Sequence, residues 1–404
     1  MRPLHITNAY IYNGSAENSY DQRDLYTTDV VVAERPKNAL TVDLSGYTIF
    51  PGLVNAHDHL ELNHYPRTKF RERYDNAHQW GEDMNAHLDE SPFKELRVYP
   101  LEDRCFIGGL KNLLCGATTV IHHNPPHKCL FRKEFPVRVL KNYTWAHSLY
   151  FSTPQEIKVA AHRAWKQNRF FIHLAEGTDE AASREYSRLK AIGGVQASRT
   201  VLIHCVGMTR ADLAQAEEDF IGGFIWCPST NLYLLGKTID FETFWHDPKI
   251  NLNALAVGSD SRLTADGDLL DEIRAAHQIA YPNVGSNPHD LRKIIFLGNV
   301  FLTGIEELYG YLKIGAPADW IVLSEGTDIL DVRRADLALV VRGGVPQIGD
   351  PAVMAKFPHI ETVAVRLDDK EKSMNVQLAR QVARCTLKEP GLKLLEDPFA
   401  RRRW

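Results

Sequence analysis

The apolar run FPGLVNAHDHLE (residues 50–61) closes on two histidines one residue apart. In a strand, side chains alternate between faces, so His57 and His59 would point the same way and could ligate one metal ion. A bare His-x-His is equally two polar residues opening a loop. Other polar residues, however, take similar positions at the ends of apolar runs. His173 ends RFFIH, with Glu176 three residues on in HLAE; His204 ends TVLIH; Asp260 ends NALAVGSD. Each has an ordinary explanation by itself: a hydrogen-bonded structural histidine, a surface salt bridge for Glu176, a helix N-cap for Asp260. Those explanations must hold independently at every position, whereas one metal site accounts for them together.

The elements that would position these residues are legible as a pattern. Between about residue 51 and residue 311, helical stretches alternate with short apolar strands, as in PQEIKVAAHRAWKQN then RFFIHLAE, and TRADLAQAEED then GGFIWCPS. That alternation marks an α/β fold with a parallel sheet, expected here to be a (β/α)8 TIM-type barrel. The C-terminal strand ends of such a barrel share one face, where active sites lie. Both chain ends differ, carrying short alternating strands: LHITNAYIYNG, TTDVVVAE and ALTVDLSGYTIF early, LKIGAPADWIVLS and ALVVRGGVPQIG late. Residues 1–50 and 312–360 are therefore expected to form one small β-sandwich, residues 51–311 the barrel, and residues 361–404 a C-terminal helical extension. Residues 125–168 are too few for two strands and three helices of ordinary length, so the barrel is expected to be irregular at its third and fourth strands.

Composition narrows the partners. A net charge of -4 gives no nucleic-acid footprint, and Arg401-Arg402-Arg403 is too short to change that. No run of 18 apolar residues could span a membrane, and MRPLHITNAYIYNG does not read as a signal peptide. Six scattered cysteines without a Cys-x-x-Cys pair fit reduced, buried thiols and a cytoplasmic location. The expected partner is a small-molecule substrate, with no nucleic acid and no membrane; a homo-oligomer is compatible with the sequence.

Several of these stretches resemble one family. DLSGYTIFPGLVNAHDH, HLAEG, VLIHCVGM and AVGSDS are similar to the first, fifth, sixth and eighth barrel-strand motifs of the amidohydrolase superfamily. CPSTNLYLLG resembles its seventh-strand substrate loop and GYLKIGAPADWIVL its return into the β domain. The resemblance covers roughly residues 4–350 and is nearest the branch holding cytosine, guanine and S-adenosylhomocysteine-type deaminases and imidazolonepropionase.

The resemblance implies a metal-dependent hydrolase of non-peptide C–N bonds, with hydrolytic deamination of an amidine-like heterocycle as the leading reaction. An amidase or lactam-opening hydrolase is the alternative, and a non-catalytic scaffold on this fold a third reading. Binuclear members bridge two ions with a fourth-strand lysine. The corresponding stretch, YTWAHSLYFS (143–152), has none, and Lys141 precedes it. The implied cofactor is thus one divalent transition metal ion, zinc or alternatively iron(II), held by His57, His59, His173 and Asp260. Such an ion lowers the pKa of bound water to about 7 and supplies hydroxide. The implied catalytic residues are Asp260 as proton acceptor, His204 as hydrogen-bonding partner of the water or oxyanion, and Glu176 as proton carrier. For substrate contacts the resemblance suggests His147. Asn231 would contact substrate or cap its loop. Of His122 and His123 only one can face inward, and His122 is taken as that residue. Arg67, Arg71 and Arg73 could recognise a carboxylate, but read rather as a solvated charged loop.

Overall fold

The computed structural model describes residues 2–12, 20–240, 254–284, 288–305 and 310–400, which leaves Arg401–Arg403 outside the described residues. Eight parallel strands form two arcs. One arc has three strands, Arg138–Val139, Ala117–His122 and Leu53–Asp58 in spatial order. The other has five, Tyr143–Ala146, Arg169–Leu174, Thr200–His204, Gly223–Trp226 and Leu255–Val257. Inward-facing Ala56, Ile121, Phe171, Val201, Ile203, Ile225 and Ala256 from both arcs make one apolar cluster.

The arcs meet through specific hydrogen bonds rather than a long ladder. On one side the Asp260 amide donates to the His57 carbonyl at 3.0 Å. Below it the buried Asn299 amide donates to the Val54 and Val257 carbonyls (2.6 and 2.7 Å) and accepts from the Val257 amide (2.8 Å). On the other side only residues 140–142 separate the Arg138–Val139 strand from Tyr143–Ala146, and a short 3-10 turn, Lys128–Phe131, stands where a helix would precede them. The expected irregularity at residues 125–168 is therefore a lost helix between adjacent strands.

Helix starts follow local chemistry. Thr153 and Glu156 form a reciprocal capping box at the Pro154–Gln167 helix, and Thr209 and Asp212 do the same for Arg210–Glu218. The helix Leu101–Leu114 lies so close to the 3-10 turn Leu60–Leu62 after the Leu53–Asp58 strand that a Cβ at Gly108 would sit 2.1 Å from the Leu60 carbonyl oxygen. Gly108→Ala is expected to force that helix away and to lower stability by about 1–3 kcal/mol, read as a lower thermal midpoint.

The chain ends supply two mainly antiparallel sheets. Four strands from residues 4–43 form one. The other has nine strands and mixes Tyr10–Tyr12, Tyr20–Gln22 and Tyr47–Pro51 with six strands drawn from residues 320–394. Leu4, Ile6, Leu25 and Val42 of the first sheet share a core with Ile49, Trp320, Val322 and Val341 of the second.

The expected helical extension over 361–404 is corrected. Thr362–Leu367, Lys370–Asn375 and Leu392–Leu394 are strands of the nine-stranded sheet, and the helix covers only Val376–Arg384. TVAVRL buries Val363, Val365 and Leu367 at period two. Asn375 ends the strand and caps the helix, accepting from the Gln377 amide at 2.9 Å. All six cysteines are free and buried, and no helix among the described residues is long and apolar enough to cross a membrane.

Candidate metal centre

At the C-terminal ends of the parallel strands, His57, His59 and His173 bring one ring nitrogen each within 4.8 Å of one another, and so do His57, His204 and Asp260 with one ligand atom each. His57 Nε2 lies 3.2 Å from His173 Nε2, and Asp260 Oδ1 lies 3.9 and 3.6 Å from the Nε2 atoms of His57 and His59. These residues come from the first, fifth, sixth and eighth parallel strands in chain order, as the sequence pattern suggested.

Simple alternation does not produce this geometry. Ala56 faces the inner cluster, so an unbroken strand would turn His57 away from it. The pairing of Leu53–Asp58 with Ala117–His122 shifts register between Asn55 and Asp58. That bulge re-aims His57 inward and puts Asn55 and Asp58 on a common outer side. Left-handed backbone re-aims other strand ends: φ is +51° at Ala175, +72° at His204 and +51° at Asp260. Such conformations are costly for residues with a Cβ and recur at functional sites.

Hydrogen bonds fix how each group is presented. His173 Nδ1 donates to the His147 carbonyl at 2.7 Å, which leaves the Nε2 lone pair facing the cluster. His204 Nδ1 donates to Asn231 Oδ1 at 2.8 Å, which aims its Nε2 lone pair inward. Asp260 Oδ2 accepts from the Thr230 and Thr264 hydroxyls at 3.2 Å each, and Oδ1 accepts from the Ser261 amide at 2.7 Å. Burial holds the imidazoles of His57 and His173 well below the ordinary histidine range, reinforced by the neighbouring histidines. Neutral imidazoles are ligands rather than cations. The Nδ1 atoms of His57 and His59 are buried without a protein partner, and their cluster-facing Nε2 atoms lie 3.9 and 3.6 Å from Asp260 Oδ1, too far for hydrogen bonds, so the cluster does not satisfy itself. Three imidazoles and a carboxylate with converging lone pairs fit a divalent transition metal.

Glu176 Oε2 stands 3.6 Å from His204 Nε2. Burial pushes its carboxyl up to about 7; His204 opposes the shift, while the charges of Asp260 and Glu185 add to it. His147 lines the same cavity, and burial beside His59 lowers its imidazole to about 4. The cavity, of about 110 Å³, is also walled by His78, Trp80, Phe151 and Glu185. The helix Ala77–His87 covers one side of it, docked by an Ala77 amide bond to the Glu176 carbonyl (2.8 Å) and by Asn76 on Asp179 (2.6 Å).

Two expected substrate contacts are corrected. His122 points out of the centre: its Nδ1 accepts from the Leu60 amide (3.3 Å) and its Nε2 lies 3.3 Å from the Pro125 carbonyl oxygen. His123 faces inward, its ring centroid 4.4 Å from His173 and 5.2 Å from His57. Asn231 is fully buried behind His204 and orients it instead of meeting substrate. The arginine loop is occupied by protein: Arg67 donates to the Thr264 and Ser229 carbonyls and pairs with Asp266, while Arg71 pairs with Asp83.

A buried charge pair behind the centre went unread in the sequence. Lys111 and Asp58 are both fully buried, with Nζ 2.9 Å from Asp58 Oδ2. The same ammonium reaches Ser259 Oγ (3.1 Å) and the Asp260 carbonyl (3.2 Å). Asn112 and Asn63 donate to the Asp58 carboxylate at 2.6 and 2.8 Å. The close approach allowed by Gly108 is what brings Lys111 and Asn112 under the ligand strand. The signal was present as a Lys-Asn pair inside the apolar helix CFIGGLKNLLCG.

The geometry can be set beside known structures. An adenosine deaminase from Xanthomonas campestris with bound zinc superposes with a TM-score of 0.68 at 16% identity, over 88% of this chain and 96% of that one. The chain has the fold of that hydrolase. The atrazine chlorohydrolase from Arthrobacter aurescens TC1, complexed with zinc, gives 0.68 and 16% over 88% and 99% of the two chains. An amidohydrolase from a Sargasso Sea environmental sample gives 0.60 and 16% over 85% and 92%. No family model matches the chain, and no curated protein is similar to it in sequence.

Proposed function

We propose that the protein is a mononuclear metal hydrolase that deaminates an amidine-like heterocycle. The observation that carries this reading is the convergence of His57, His59, His173 and Asp260 with Glu176, a carboxyl poised near neutrality on the rim of the same cluster. The two arcs of parallel strands are read as one eight-stranded barrel, irregular at its third and fourth strands. The antiparallel sheets at the chain ends are read as its small β domain. The nearby hydrolase structures hold zinc, which favours zinc here.

A single ion suits the lysines. The Tyr143–Ala146 strand has none, Lys141 places its Nζ over the Phe131 ring (4.7 Å), and Lys111 is paired with Asp58. When bound, the ion supplies Lewis acidity and a water of lowered pKa. Asp260 Oδ1, on the cluster side of its carboxylate, accepts the proton of the attacking water. Glu176, able to give and take a proton at neutral pH, protonates the ring nitrogen and, as carboxylate, takes the remaining proton of the attacking oxygen as the carbonyl forms, while the proton held by Asp260 passes to the departing amine, so both carboxyl groups return to their starting states. His204 holds its Nε2 towards this exchange because Asn231 fixes the other nitrogen. Neutral His147 offers a hydrogen bond to the substrate. The sealed, buried thiols and absence of a membrane-length helix among the described residues accord with a cytoplasmic enzyme.

The test is ammonia release and product mass over a panel of heterocyclic amines, lactams and carboxamides, using zinc-loaded protein. Ammonia from a ring amine supports deamination. A water adduct without ammonia would transfer the site to ring opening.

A further inference from the structure

We infer that the substrate is bipartite: an uncharged or cationic heterocyclic amine at the metal centre, joined to an apolar arm that occupies a side chamber and carries no anionic group. The inference rests on the proposed reading of the centre, which seats the scissile C–N bond there, and adds what the rest of the molecule must be.

The metal cavity does not end at its own walls. Leu62, Trp80, His147 and Phe151 line both this cavity and a second chamber beside it. The chamber continues past Tyr65, Met84, Leu88 and Trp145. Trp145 lies two residues before His147 on the same strand face, and its ring packs 5.3 Å from that of His123. A group in the chamber therefore lies against Leu62, Trp80, His147 and Phe151, side chains that also wall the metal cavity.

The chamber's surface is suited to carbon. Trp80 donates its indole N–H to the Thr68 carbonyl at 3.0 Å, so its polar atom is already satisfied and its ring is presented bare. The helix carrying Met84 lies against Phe151: a Cβ at Gly81 would come within 2.8 Å of Phe151 Cζ. Glu156, at the chamber's edge, is tied to the Thr153 amide and hydroxyl as a helix cap. Phe151, which lines both spaces, remains 43% exposed, an apolar surface that entering substrate would cover.

Charge excludes anions. Among the described residues no lysine or arginine lines either space, whereas Glu176, Glu185 and Asp260 line the metal cavity. Glu185 accepts from the Ala175 amide with Oε2 and faces His78 Nε2 at 3.5 Å with Oε1. That wall offers acceptors to an amine or ring N–H. A carboxylate or phosphate would find no cationic side chain there to recognise it.

The experiment reads chamber occupancy without turnover. Fluorine NMR follows binding of 4-fluorobenzyl alcohol and 4-fluorobenzenesulfonate to the zinc-loaded protein, to Met84→Trp, and to Leu88→Trp as a second filler variant. The alcohol should bind saturably, lose at least tenfold in affinity in whichever filler variants keep the thermal transition, and exceed the sulfonate at least tenfold. Absence of saturable alcohol binding, equal binding in a folded filler variant, or a sulfonate that binds as well as the alcohol would overturn the inference. Neither probe carries a hydrolysable C–N bond, so this outcome and the ammonia outcome stand or fall separately.

Discussion

Glu176→Gln is expected to keep the metal and lose about 10²–10⁴-fold in kcat, the usual contribution of a positioned proton carrier. The glutamine is isosteric, so the cavity and His204 stay in place, but the amide cannot relay a proton. The wild-type carboxyl is held at about 7 by burial, within reach of both protonation states at neutral pH, and Gln has only one. Metal content and turnover measured on the same preparation check this. Near-normal kcat in the variant would remove Glu176 from the mechanism, whatever the metal did.

The second large effect is on stability. Lys111→Met should cost about 3–5 kcal/mol, because it leaves the Asp58 carboxylate buried without its cation. The loss should also loosen the turn that presents Asp260, since the ammonium holds the Asp260 carbonyl at 3.2 Å. Asp58→Asn combined with Lys111→Met removes both charges and should recover much of the stability. It should not recover full metal affinity, because only Ser259 Oγ, at 3.0 Å, is left of the two donors to the Asp260 carbonyl. Denaturant unfolding and a chelator competition for zinc separate the two consequences. A Lys111→Met protein as stable as the wild type would show that the pair contributes nothing net.

How far the sequence led depends on which physical signal a residue carries. His173, His204 and Asp260 were visible because each terminates an apolar run, and parallel strands gather such ends. The shared direction of His57 and His59 follows from alternation, but that direction is inward only because of a register shift between Asn55 and Asp58 that leaves no mark in composition. Alternation lets only one of His122 and His123 face inward, and because both faces of the ATTVIH strand are buried, pattern does not say which. Only packing reveals that Ile121 faces the inner cluster and takes His123 with it. Asn231 was noticed for its position in the loop, but its role depends on where His204 points. Lys111 was passed over because a lysine on a helix ordinarily reaches solvent, and its burial is set by a partner 53 positions earlier. At the C-terminal end, Met374, Leu378 and Val382 recur at a helical spacing of four, which hid the strand before Asn375.

The central claim is that His57, His59, His173 and Asp260 hold a single divalent ion. Metal-to-protein stoichiometry by inductively coupled plasma mass spectrometry, on wild type and His57→Ala purified alike and dialysed, tests it most directly. One transition metal ion per chain in the wild type, and close to none in the variant, is the expected result. A tightly held second ion, no ion in the wild type, or full retention by His57→Ala would contradict it.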